Sequence, residues 1–536
     1  MSDVNPQTAT SDQAQLIAHL IDPLIYGLPA TERVETLETH ISHVLLAGPY
    51  AYKIKKAVSL DFLDFRTLSA RRFYCDEELR LNRRLAPTLY LDVVPITGTP
   101  DRPVLAGDGA AIEYAVRMRR FSQECLLDRL AARGALTPAI IDQLAMKTAE
   151  FHRSASVSTD DDGFGTVDTI QQPALDNFVQ IRATMRESSP DFDALERWTS
   201  DQCAALAKTF QARKRNGFVR ECHGDLHLRN VALVDGDVTL FDCIEFDPNL
   251  RWIDVMNDVA FMAMDLHDRK QPALARRFLN HYLEISGDYA GLRVLVFYAV
   301  YRALVRAKIH GLRAQQPNLA APERARLLDQ YRGYLALARA QTQARPPFLL
   351  ITHGFSGSGK TTCTQPLVES LGTVRVRSDI ERKRLLGFAP LARTGSAVEE
   401  GAYAGSTTAR TYERLAELAE TIIDAGVSVI VDATFLKRTQ RDIFRQLAQT
   451  RRVPFVILSV VADETVMRAR ISERQRRPDA SEADLDVLQH QLTTHEPLER
   501  EESSLVVTYD STRPPAAAAS LSNAVLAKLG RDRPTS

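Results

Sequence analysis

The sequence predicts two domains in tandem: a mixed α+β domain with a small strand-rich lobe and a large helical lobe, followed by an α/β domain with a parallel sheet. Strand-like segments cluster between about Val34 and Tyr114, and helical patterns dominate from about Leu126 to Ala340. Beyond residue 347, apolar runs alternate with helical segments, which is the order typical of a parallel sheet wrapped by helices.

Length and charge agree with that division. A chain of 536 residues is long for one core and suits two or three domains, each able to bury a sizeable apolar interior. Lys and Arg number 67, and Asp and Glu number 68, so no overall charge favours a polyanion or an anionic membrane as the main partner. Any contact with nucleic acid is therefore expected to be local.

Targeting and redox features of the sequence point to the cytoplasm. Residues Met1–Gln15 are polar and lack a basic segment followed by an apolar one, which argues against a secretory signal. No apolar run is long enough to span a bilayer, so no membrane partner is expected. The six cysteines include no C-x-x-C pair, so the sequence indicates neither a disulfide framework nor a zinc site.

The domain boundary is expected at Gln341–Pro347, which interrupts a helical stretch and directly precedes an apolar run. In the second domain, five strand-like runs predict a five-stranded parallel sheet; they lie at 348–352, 374–376, 427–431, 455–461 and 505–508. The predicted divisions are a first domain at 1–340, with a small lobe at about 30–115 and a helical lobe at about 120–340, a linker at 341–347 and a second domain at 348–530.

A candidate catalytic loop lies at 223–230, which reads His-Gly-Asp-Leu-His-Leu-Arg-Asn and has the D-x-x-x-x-N spacing of a protein-kinase catalytic loop. Between Asn230 and Asp242, the dipeptide Asp235-Gly236 is flanked by apolar runs and predicts a hairpin. Such a hairpin returns Asp242 to the side of Asn230, so that the two can share one Mg²⁺. Asp225 is then left as the base that takes the acceptor proton.

A kinase-like lobe also needs a lysine on a strand, held by a glutamate on a helix. Lys53 and Lys55 lie on a predicted strand after the turn Gly48–Pro49 and share one face, because side chains alternate along a strand. Lys53 is preferred as the ATP-binding lysine, because the alanine two residues before it leaves room for an adenine; Lys55 is the alternative. Glu77 and Glu78, in the helical segment that follows, are both candidates for the partner.

These residues, with Phe241-Asp242, resemble the aminoglycoside phosphotransferase family, a group that phosphorylates hydroxyls of antibiotics and other small molecules. The resemblance covers about Val34 to Ala340 and implies a bilobal protein-kinase-like fold, with Asp225 as base and Asn230 and Asp242 as metal ligands. Histidines 223 and 227, like Asp254 and Asp258, are interpreted as structural. The segment 243–247 replaces the family's Gly-bearing turn, so the acceptor stays open.

A phosphate-binding loop opens the second domain. Residues 354–361 read Gly-Phe-Ser-Gly-Ser-Gly-Lys-Thr, a full G-x-x-x-x-G-K-[ST] motif between a strand-like run and a helical one. In such a loop the backbone N–H groups surround the phosphates, Lys360 reaches the β- and γ-phosphates, and the hydroxyl of Thr361 binds Mg²⁺. The residues expected to bind ATP here are Gly354, Ser356, Gly357, Ser358, Gly359, Lys360, Thr361 and Thr362.

Two carboxylates complete the predicted second site. Asp379 and Arg382 lie on one turn at the start of a helix, where they combine a potential base with a phosphate-binding cation. Asp432 ends a predicted strand, the position expected for a carboxylate near the metal. Ala433 and Thr434 follow it, so the glutamate that usually activates water in a hydrolytic motor is missing. Transfer to a hydroxyl is therefore favoured over simple ATP hydrolysis.

Arginines crowd a helical segment after the fourth strand of the second domain. On a mobile lid, arginines stabilise the charge that develops on a transferred phosphate. The alternative interpretation is a solvated basic helix face. The cluster comprises Arg468, Arg470, Arg474, Arg476 and Arg477, of which Arg470, Arg474 and Arg477 are taken, with Arg382, as candidates for phosphate or acceptor binding.

This second domain resembles small P-loop kinases of the polynucleotide-kinase, zeta-toxin and gluconate-kinase type, over about Pro347 to Leu529. The pair Asp379 and Arg382 looks most like the 5′-hydroxyl polynucleotide kinases. The resemblance implies ATP, Mg²⁺ and a hydroxyl acceptor. Taken whole, the chain resembles bacterial two-domain proteins described as bifunctional aminoglycoside phosphotransferase and ATP-binding proteins.

The sequence therefore predicts a cytoplasmic, Mg²⁺- and ATP-dependent kinase with small-molecule hydroxyl acceptors at two sites. One alternative is a nucleotide-sensing regulator in which one domain binds ATP without transferring phosphate. Another is phosphorylation of nucleic-acid 5′ ends by the second domain, which predicts salt-sensitive binding of an oligonucleotide and is not favoured.

Overall fold

The computed structural model of the chain describes residues 6–60, 63–343, 345–389, 392, 405–474, 481, 483–512 and 518–531. It divides the chain into two compact units. The first comprises Met1–Leu136, Phe151–Ala174 and Cys203–Asp265, and the second comprises Thr137–Glu150, Leu175–Gln202 and Leu266–Ser536.

Twelve strands lie in the described residues upstream of 343. They are β1 (Glu35–Glu38), β2 (Ser42–Ala47), β3 (Tyr50–Lys55), β4 (Ser59–Leu60), β5 (Leu63–Asp64), β6 (Tyr90–Thr99), β7 (Arg102–Leu105), β8 (Glu113–Arg119), β9 (Val219–Glu221), β10 (Val231–Val234), β11 (Asp237–Leu240) and β12 (Trp252–Asp254). The helices of the same part are α1 (Pro6–His19), α2 (Leu68–Asn82), α3 (Leu127–Ala132), α4 (Pro138–Ser154), α5 (Val167–Met185), α6 (Pro190–Arg215), α7 (Pro248–Arg251), α8 (Val255–Asp268), α9 (Pro272–Ser286), α10 (Leu292–Ala314) and α11 (Ala321–Thr342).

A six-stranded antiparallel sheet in the order β1-β2-β3-β8-β6-β7 carries the predicted lysines. The predicted Gly-Pro hairpin is confirmed: Gly48, at a φ of 53°, joins β2 to β3. Helix α2 packs on strands β6 and β8, and buried residues such as Cys75, Tyr90 and Val116 fill the contact. The sheet and α2 therefore bring a strand lysine and a helix glutamate within reach of each other.

The predicted hairpin after the catalytic loop is also present. Strands β10 and β11 pair antiparallel, and the connecting residues Asp235 and Gly236 both have positive φ, as a two-residue type I′ turn requires. A hydrogen bond from the N–H of Phe241 to the carbonyl of Asn230, 3.0 Å long, extends the pairing. Asp242 is thereby returned to the catalytic loop.

The second unit contains an all-parallel sheet of five strands in the order β14-β15-β13-β16-β17, as the five apolar runs predict. The strands are β13 (Leu349–His353), β14 (Val374–Arg377), β15 (Val429–Asp432), β16 (Phe455–Val461) and β17 (Val506–Asp510). The helices are α12 (Lys360–Leu371), α13 (Ser378–Leu385), α14 (Gly405–Asp424), α15 (Arg438–Arg451), α16 (Glu464–Arg474), α17 (Leu485–Thr494) and α18 (Ala518–Lys528).

The central strands of this sheet are buried and rich in Val, Ile and Leu, because helices cover both faces. The loops that follow β13, β14 and β15 leave the same edge of the sheet, which is where ligands bind in open α/β sheets. This edge carries the P-loop, Asp379 and Asp432.

Within the part of the chain that the structure describes, the helices fall short of the length and apolarity that a membrane crossing requires. All six cysteines are free thiols.

Candidate active sites

The first site is built around Lys53. Its Nζ lies 2.8 Å from Oε1 of Glu78 and 2.5 Å from Oδ1 of Asp242. Glu78 is fully buried, whereas the Asp242 side chain is 41% exposed. Burial disfavours the charged lysine, but the charges of Asp242 and Glu78 outweigh it and raise the pKa of Lys53 well above its ordinary value. Lys53 is therefore a fixed cation at the edge of the site.

Lys55 lies on the same face of β3 but deeper. Its Nζ is 2.5 Å from Oε2 of Glu78 and also pairs with Glu245, and its side chain is fully buried. Burial opposes the ionisation of Glu78, yet the two lysines lower its pKa to about 2, while burial raises the pKa of Glu245. The carboxylate of Glu78 thus holds both lysines. The fully buried lysine, Lys55, is positioned to support this group of ion pairs rather than to contact a ligand.

Glu77, the other candidate partner of the lysines, points elsewhere. Its carboxylate pairs with Arg80 at 2.7 Å and with Arg251 at 2.8 Å. Between the two glutamates that the sequence leaves open, the structure brings Glu78 to the lysines.

The catalytic loop places Asp225 next to Asn230. The amide Nδ2 of Asn230 donates to the backbone carbonyl of Asp225 at 3.0 Å and to its Oδ2 at 2.9 Å. His227 Nε2 lies 3.3 Å from the same Oδ2, and 38% of the Asp225 side chain is exposed. Two neighbours thus orient Asp225, while part of its carboxylate side chain stays exposed.

The residues proposed to hold Mg²⁺ in the first site fit a hard cation. Because the nitrogen of the Asn230 amide is engaged by Asp225, its carbonyl oxygen is the atom presented to a ligand. Asp242 supplies carboxylate oxygens and is held in the left-handed backbone region, at a φ of 65°. Its N–H donates to the hydroxyl of Tyr90 at 3.2 Å. Carboxylate and amide oxygens are the ligands that Mg²⁺ takes in proteins.

Asp258 holds the backbone at the start of the candidate catalytic loop. Its two carboxylate oxygens accept hydrogen bonds from the N–H groups of His223 and Gly224, at 2.8 and 3.0 Å. Gly224 has a φ of 85°, and a Cβ there would lie 2.6 Å from the carbonyl of Leu250. Only glycine fits this close approach.

A buried cluster of His152, Cys222 and Asp258 has the spacing of a metal site among the described residues. Burial raises the pKa of Cys222 well above its ordinary value, and the Asp258 carboxylate is already engaged by the loop. Because both Asp258 oxygens already hold the backbone of the loop, this cluster fits the structural role expected for Asp258. Asp254 is likewise engaged, in a buried pair with Arg213 at 2.5 Å.

The second site begins at the P-loop, which joins β13 to α12 and holds the predicted residues from Gly354 to Gly359. Gly354 has a φ of 148°, and a Cβ there would lie 2.4 Å from the carbonyl of Val460 on the neighbouring strand. A side chain is therefore excluded by the sheet itself. Lys360 Nζ donates to the carbonyls of Gly354 and Phe355, at 2.9 and 2.7 Å.

Thr361 and Asp432 form the candidate metal position of this site. The Thr361 hydroxyl donates to Oδ2 of Asp432 at 2.7 Å, and Asp432 is buried at the end of β15. A hydroxyl and a carboxylate at the mouth of a P-loop are the oxygen ligands that fit Mg²⁺. Burial lowers the pKa of Lys360, which lies beside this pair.

One cavity of about 650 Å³ joins the predicted groups of the second site. Asp379 and Arg382 line it on α13, with 3.3 Å between Oδ1 and Nη1. Predicted residues that also line it are Ser356, Gly357, Gly359, Lys360, Thr361, Thr362, Asp432, Arg470 and Arg474. A volume of this size is in the range of small-molecule sites.

The arginines of α16 differ in their contacts. Arg470 donates to the P-loop carbonyl of Gly357 at 3.3 Å and to Ser511, and Arg474 donates to the carbonyl of Ala483 at 2.7 Å. Arg468 pairs with Glu464 at the surface. Arg476 and Arg477 lie outside the described residues.

Sequence reasoning missed several lining residues. Tyr412 on α14 lines the cavity, and its hydroxyl accepts from the N–H of Phe435 at 3.2 Å; Lys437, Gln440 and Gln491 also line it. Lys437 lies five residues after Asp432, the last residue of β15. An inspection of polar residues just beyond the ends of the predicted strands would have found it. Tyr412 lies within an amphipathic helix and carries no local signal.

Family models match both parts of the chain. Residues 75–295 match the model described as phosphotransferase enzyme family, and residues 349–498 match the model described as AAA domain. The first span contains Asp225, Asn230 and Asp242, and the second contains the whole P-loop. The predicted fold class, a kinase-like domain followed by a P-loop domain with five parallel strands, is thereby confirmed.

Among curated proteins, uncharacterized protein Rv2004c of Mycobacterium tuberculosis is 30% identical to this chain over 450 residues, which is 83% of this chain and 88% of that protein. Uncharacterized protein Mb2027c of Mycobacterium bovis matches with the same identity and coverage. The chain belongs to the Rv2004c family. In this member of the Rv2004c family, a phosphotransferase-family domain precedes a P-loop kinase-like domain.

Three solved structures are similar to parts of this member of the Rv2004c family. A sugar kinase from Janibacter sp. HTCC2649 is 27% identical, with a TM-score of 0.27, and the match covers 34% of this chain and 95% of that one. A gluconokinase from Sinorhizobium meliloti 1021 is 24% identical, with a TM-score of 0.23 and coverages of 35% and 93%. A choline/ethanolamine kinase family protein from Mesorhizobium loti is 13% identical, with a TM-score of 0.36 and coverages of 62% and 99%.

Proposed function

We propose that this chain is an ATP-dependent kinase with two separate sites, each of which transfers the γ-phosphate of ATP to a hydroxyl group of a small molecule. One observation supports the proposal: each site has a lysine that can bind phosphate, oxygen atoms that can bind a metal, and a partly exposed carboxylate that can face an acceptor. The carboxylates are Asp225, 38% exposed, and Asp379, 26% exposed. This division of labour is what phosphoryl transfer requires, because the chemistry depends on positioning and charge neutralisation.

At each site the acceptor hydroxyl is the attacking group. Its oxygen forms a bond to the γ-phosphorus, the bond from that phosphorus to the β,γ-bridging oxygen breaks, and ADP leaves with the electron pair. The hydroxyl proton passes to Asp225 in the first site and to Asp379 in the second. Mg²⁺ held by Asn230 and Asp242 in the first site, and by Thr361 and Asp432 in the second, would neutralise charge on the phosphates.

The remaining polar groups hold the phosphates and the metal. In the first site Lys53, fixed by Glu78, binds phosphate, and Asn230 and Asp242 hold the metal. In the second site, the corresponding groups are Lys360 for phosphate, Thr361 and Asp432 for metal, and Arg382, Arg470 and Arg474 for phosphate charge.

A small-molecule acceptor for the second site is supported by the walls of its cavity. Asp379 and Arg382 lie in the same cavity as the P-loop, so a hydroxyl bound beside Asp379 faces the phosphate end of the nucleotide. Among the described arginines of α16, Arg470 contacts the P-loop, Arg474 contacts a backbone carbonyl and Arg468 pairs with a surface acid. These contacts favour a small acceptor over an oligonucleotide lying along an open basic face.

The test is transfer of the labelled γ-phosphate of ATP to a pooled panel of sugars, aminoglycosides, nucleosides and 5′-hydroxyl oligonucleotides. Asp225→Asn and Asp379→Asn are compared with the intact chain; each should slow one set of products by roughly 10²- to 10⁴-fold, the usual contribution of a general base. Each variant should keep ATP binding, because Lys53 is held by Glu78 and Asp242 and Lys360 is held by the carbonyls of Gly354 and Phe355.

Loss of different products in the two variants would establish two independent kinase sites. ATP binding at both sites without any phosphorylated acceptor would refute the proposal and favour a nucleotide-sensing regulator. Phosphorylated oligonucleotides alone, lost in Asp379→Asn, would identify the second site as a 5′-end kinase.

A further inference from the structure

Helix α9 precedes the predicted linker by more than 50 residues, yet it packs within the second unit against α12 and against the edge strand β14. Helix α12 begins at the P-loop lysine. A helix from the part of the chain that the sequence assigns to the first domain therefore lies against the helix that carries the P-loop residues.

One part of this contact is made by Arg375 on β14. Its Nη1 donates to the backbone carbonyl of Thr361 at 3.0 Å and to Oγ1 of Thr364 at 3.3 Å, on the first turn of α12. Its Nε and Nη2 both donate to Oε1 of Glu284 on α9, each at 3.1 Å. Asn280, one turn earlier on α9, accepts from the Arg375 N–H at 2.7 Å.

The Glu284–Arg375 pair is shielded from water. Glu284 is 3% exposed and Arg375 is 4% exposed, and Asn280 donates a further hydrogen bond to Glu284 at 3.0 Å. Burial opposes ionisation of Glu284, but the charge of Arg375 outweighs it and lowers the pKa of the carboxyl. An ion pair in these surroundings has a fixed geometry, because charge-assisted hydrogen bonds gain strength and direction where solvent cannot compete.

Glu284 also reaches the acceptor side of the second site. Its backbone carbonyl accepts from Nη2 of Arg384 at 2.7 Å, and Arg384 lies on α13, the helix that carries Asp379. A single residue of α9 is thus connected to the P-loop helix through Arg375 and to the acceptor helix through Arg384.

We propose that Glu284 and Arg375 are positioning residues for the P-loop, so that nucleotide binding in the C-terminal site depends on a helix that precedes the linker. By holding the carbonyl of Thr361, Arg375 fixes the first turn of α12 and with it the hydroxyl that meets Asp432. This inference rests on the proposed function only in requiring that the P-loop binds Mg²⁺-ATP.

The experiment uses the full chain and measures Mg²⁺-ATP binding by calorimetry. The component that Lys360→Ala abolishes is assigned to the C-terminal site. Glu284→Gln should weaken that component by roughly 10- to 100-fold, the usual effect of removing an outer partner of a ligand-binding group, and should leave the other component unchanged.

The matched control is Arg277→Gln. Arg277 lies on the same helix α9, pairs with Glu369 near the other end of α12 at 2.8 Å, and also pairs with Asp142 on α4 at 2.6 Å. The substitution Arg277→Gln loosens the packing of α9 on α12 without changing contacts to the first turn of α12. It should therefore leave the affinity for Mg²⁺-ATP unchanged. Equal weakening by Arg277→Gln and Glu284→Gln would reduce Glu284 to a packing residue and overturn the proposal.

Two further variants keep the test decisive if Glu284→Gln fails to fold. Arg375→Lys keeps a cation for Glu284 but lacks the fork that also reaches Thr361, so it should fold and still bind Mg²⁺-ATP more weakly. In a Thr361→Val background, Arg375→Lys should have no additional effect, because the proposal has Arg375 act through the position of the Thr361 hydroxyl, which Thr361→Val removes. Normal Mg²⁺-ATP affinity in Arg375→Lys, or a full additional loss beside Thr361→Val, would overturn the proposal.

These readouts are separate from phosphoryl transfer. If the intact chain binds Mg²⁺-ATP but phosphorylates no acceptor, the kinase proposal fails while the binding comparison still decides the role of Glu284.

Discussion

Lys55 and Lys53 share a strand face and a carboxylate, yet their removal should have unequal effects on stability. We predict that Lys55→Met destabilises the first unit much more than Lys53→Met does. The reason lies in the second partner of each lysine. Lys55 pairs with Glu245, whose side chain is 4% exposed, whereas Lys53 pairs with Asp242, whose side chain is 41% exposed.

The magnitudes follow from those exposures. Lys55→Met leaves Glu245 buried without its cation, and breaking a buried pair in this way costs about 3–5 kcal/mol. Lys53→Met leaves Asp242 open to water and Glu78 still paired with Lys55, so the loss should be nearer the value for a solvated pair, about 1 kcal/mol. Replacing both members of the buried pair, in Lys55→Met/Glu245→Met, should recover most of the loss.

The assay is urea unfolding followed by the fluorescence of Trp252. The chain has two tryptophans, and Trp198 is replaced by Phe so that the signal comes from the first unit alone. Trp252 stacks on Phe164 at 5.5 Å, so its emission should change when this unit unfolds. Equal losses in the two single variants, or a double variant no more stable than Lys55→Met, would refute the reasoning.

Three further predictions follow from the two sites. Because the pKa of Glu78 is lowered from 4.5 to about 2, its ionised form stabilises the first unit above pH 4.5. That contribution, about 3 kcal/mol, should be lost as the pH falls toward 2. Urea titrations at several pH values should show a smaller loss of unfolding free energy on acidification in Glu78→Gln than in the intact chain. Lys360→Ala should abolish nucleotide binding in the second unit, because it removes the cation expected to reach the phosphates; retained binding in calorimetry would contradict the assignment. Gly354→Ala should lower that melting temperature, because the new Cβ would meet the carbonyl of Val460 at 2.4 Å, and an unchanged melting curve would exclude the predicted clash.

Much of both sites could be predicted from sequence because the necessary residues are close together along the chain. The P-loop is one contiguous motif, and Asp225, Asn230 and Asp242 are joined by a short hairpin whose turn the dipeptide Asp235-Gly236 specifies. The choice between Glu77 and Glu78 could not be made in this way. The two are adjacent on α2, and packing of that helix on the sheet decides which of them meets the lysines.

Other relationships join residues that are distant in sequence. Glu245 reaches Lys55 across 190 positions, and Glu284 reaches Arg375 across 91. No periodicity or spacing in the sequence predicts such contacts, because each depends on how entire helices and strands pack in the fold. Tyr412 also lines the cavity of the second site through packing between distant segments, because α14 packs beside β14 and β15.

The sequence by itself determined the two kinds of phosphate-binding chemistry, the five parallel strands of the second sheet and the hairpin that follows the catalytic loop. Backbone geometry and local side-chain chemistry are sufficient for these, because turns, strand patterns and the P-loop are encoded within short segments. Tertiary structure alone decided which lysine is buried, which glutamate holds it, and that a helix upstream of the predicted linker contacts the P-loop helix. Burial and pairing between distant segments are properties of the packed chain, since only packing removes water from a charge and selects the partner that must replace it.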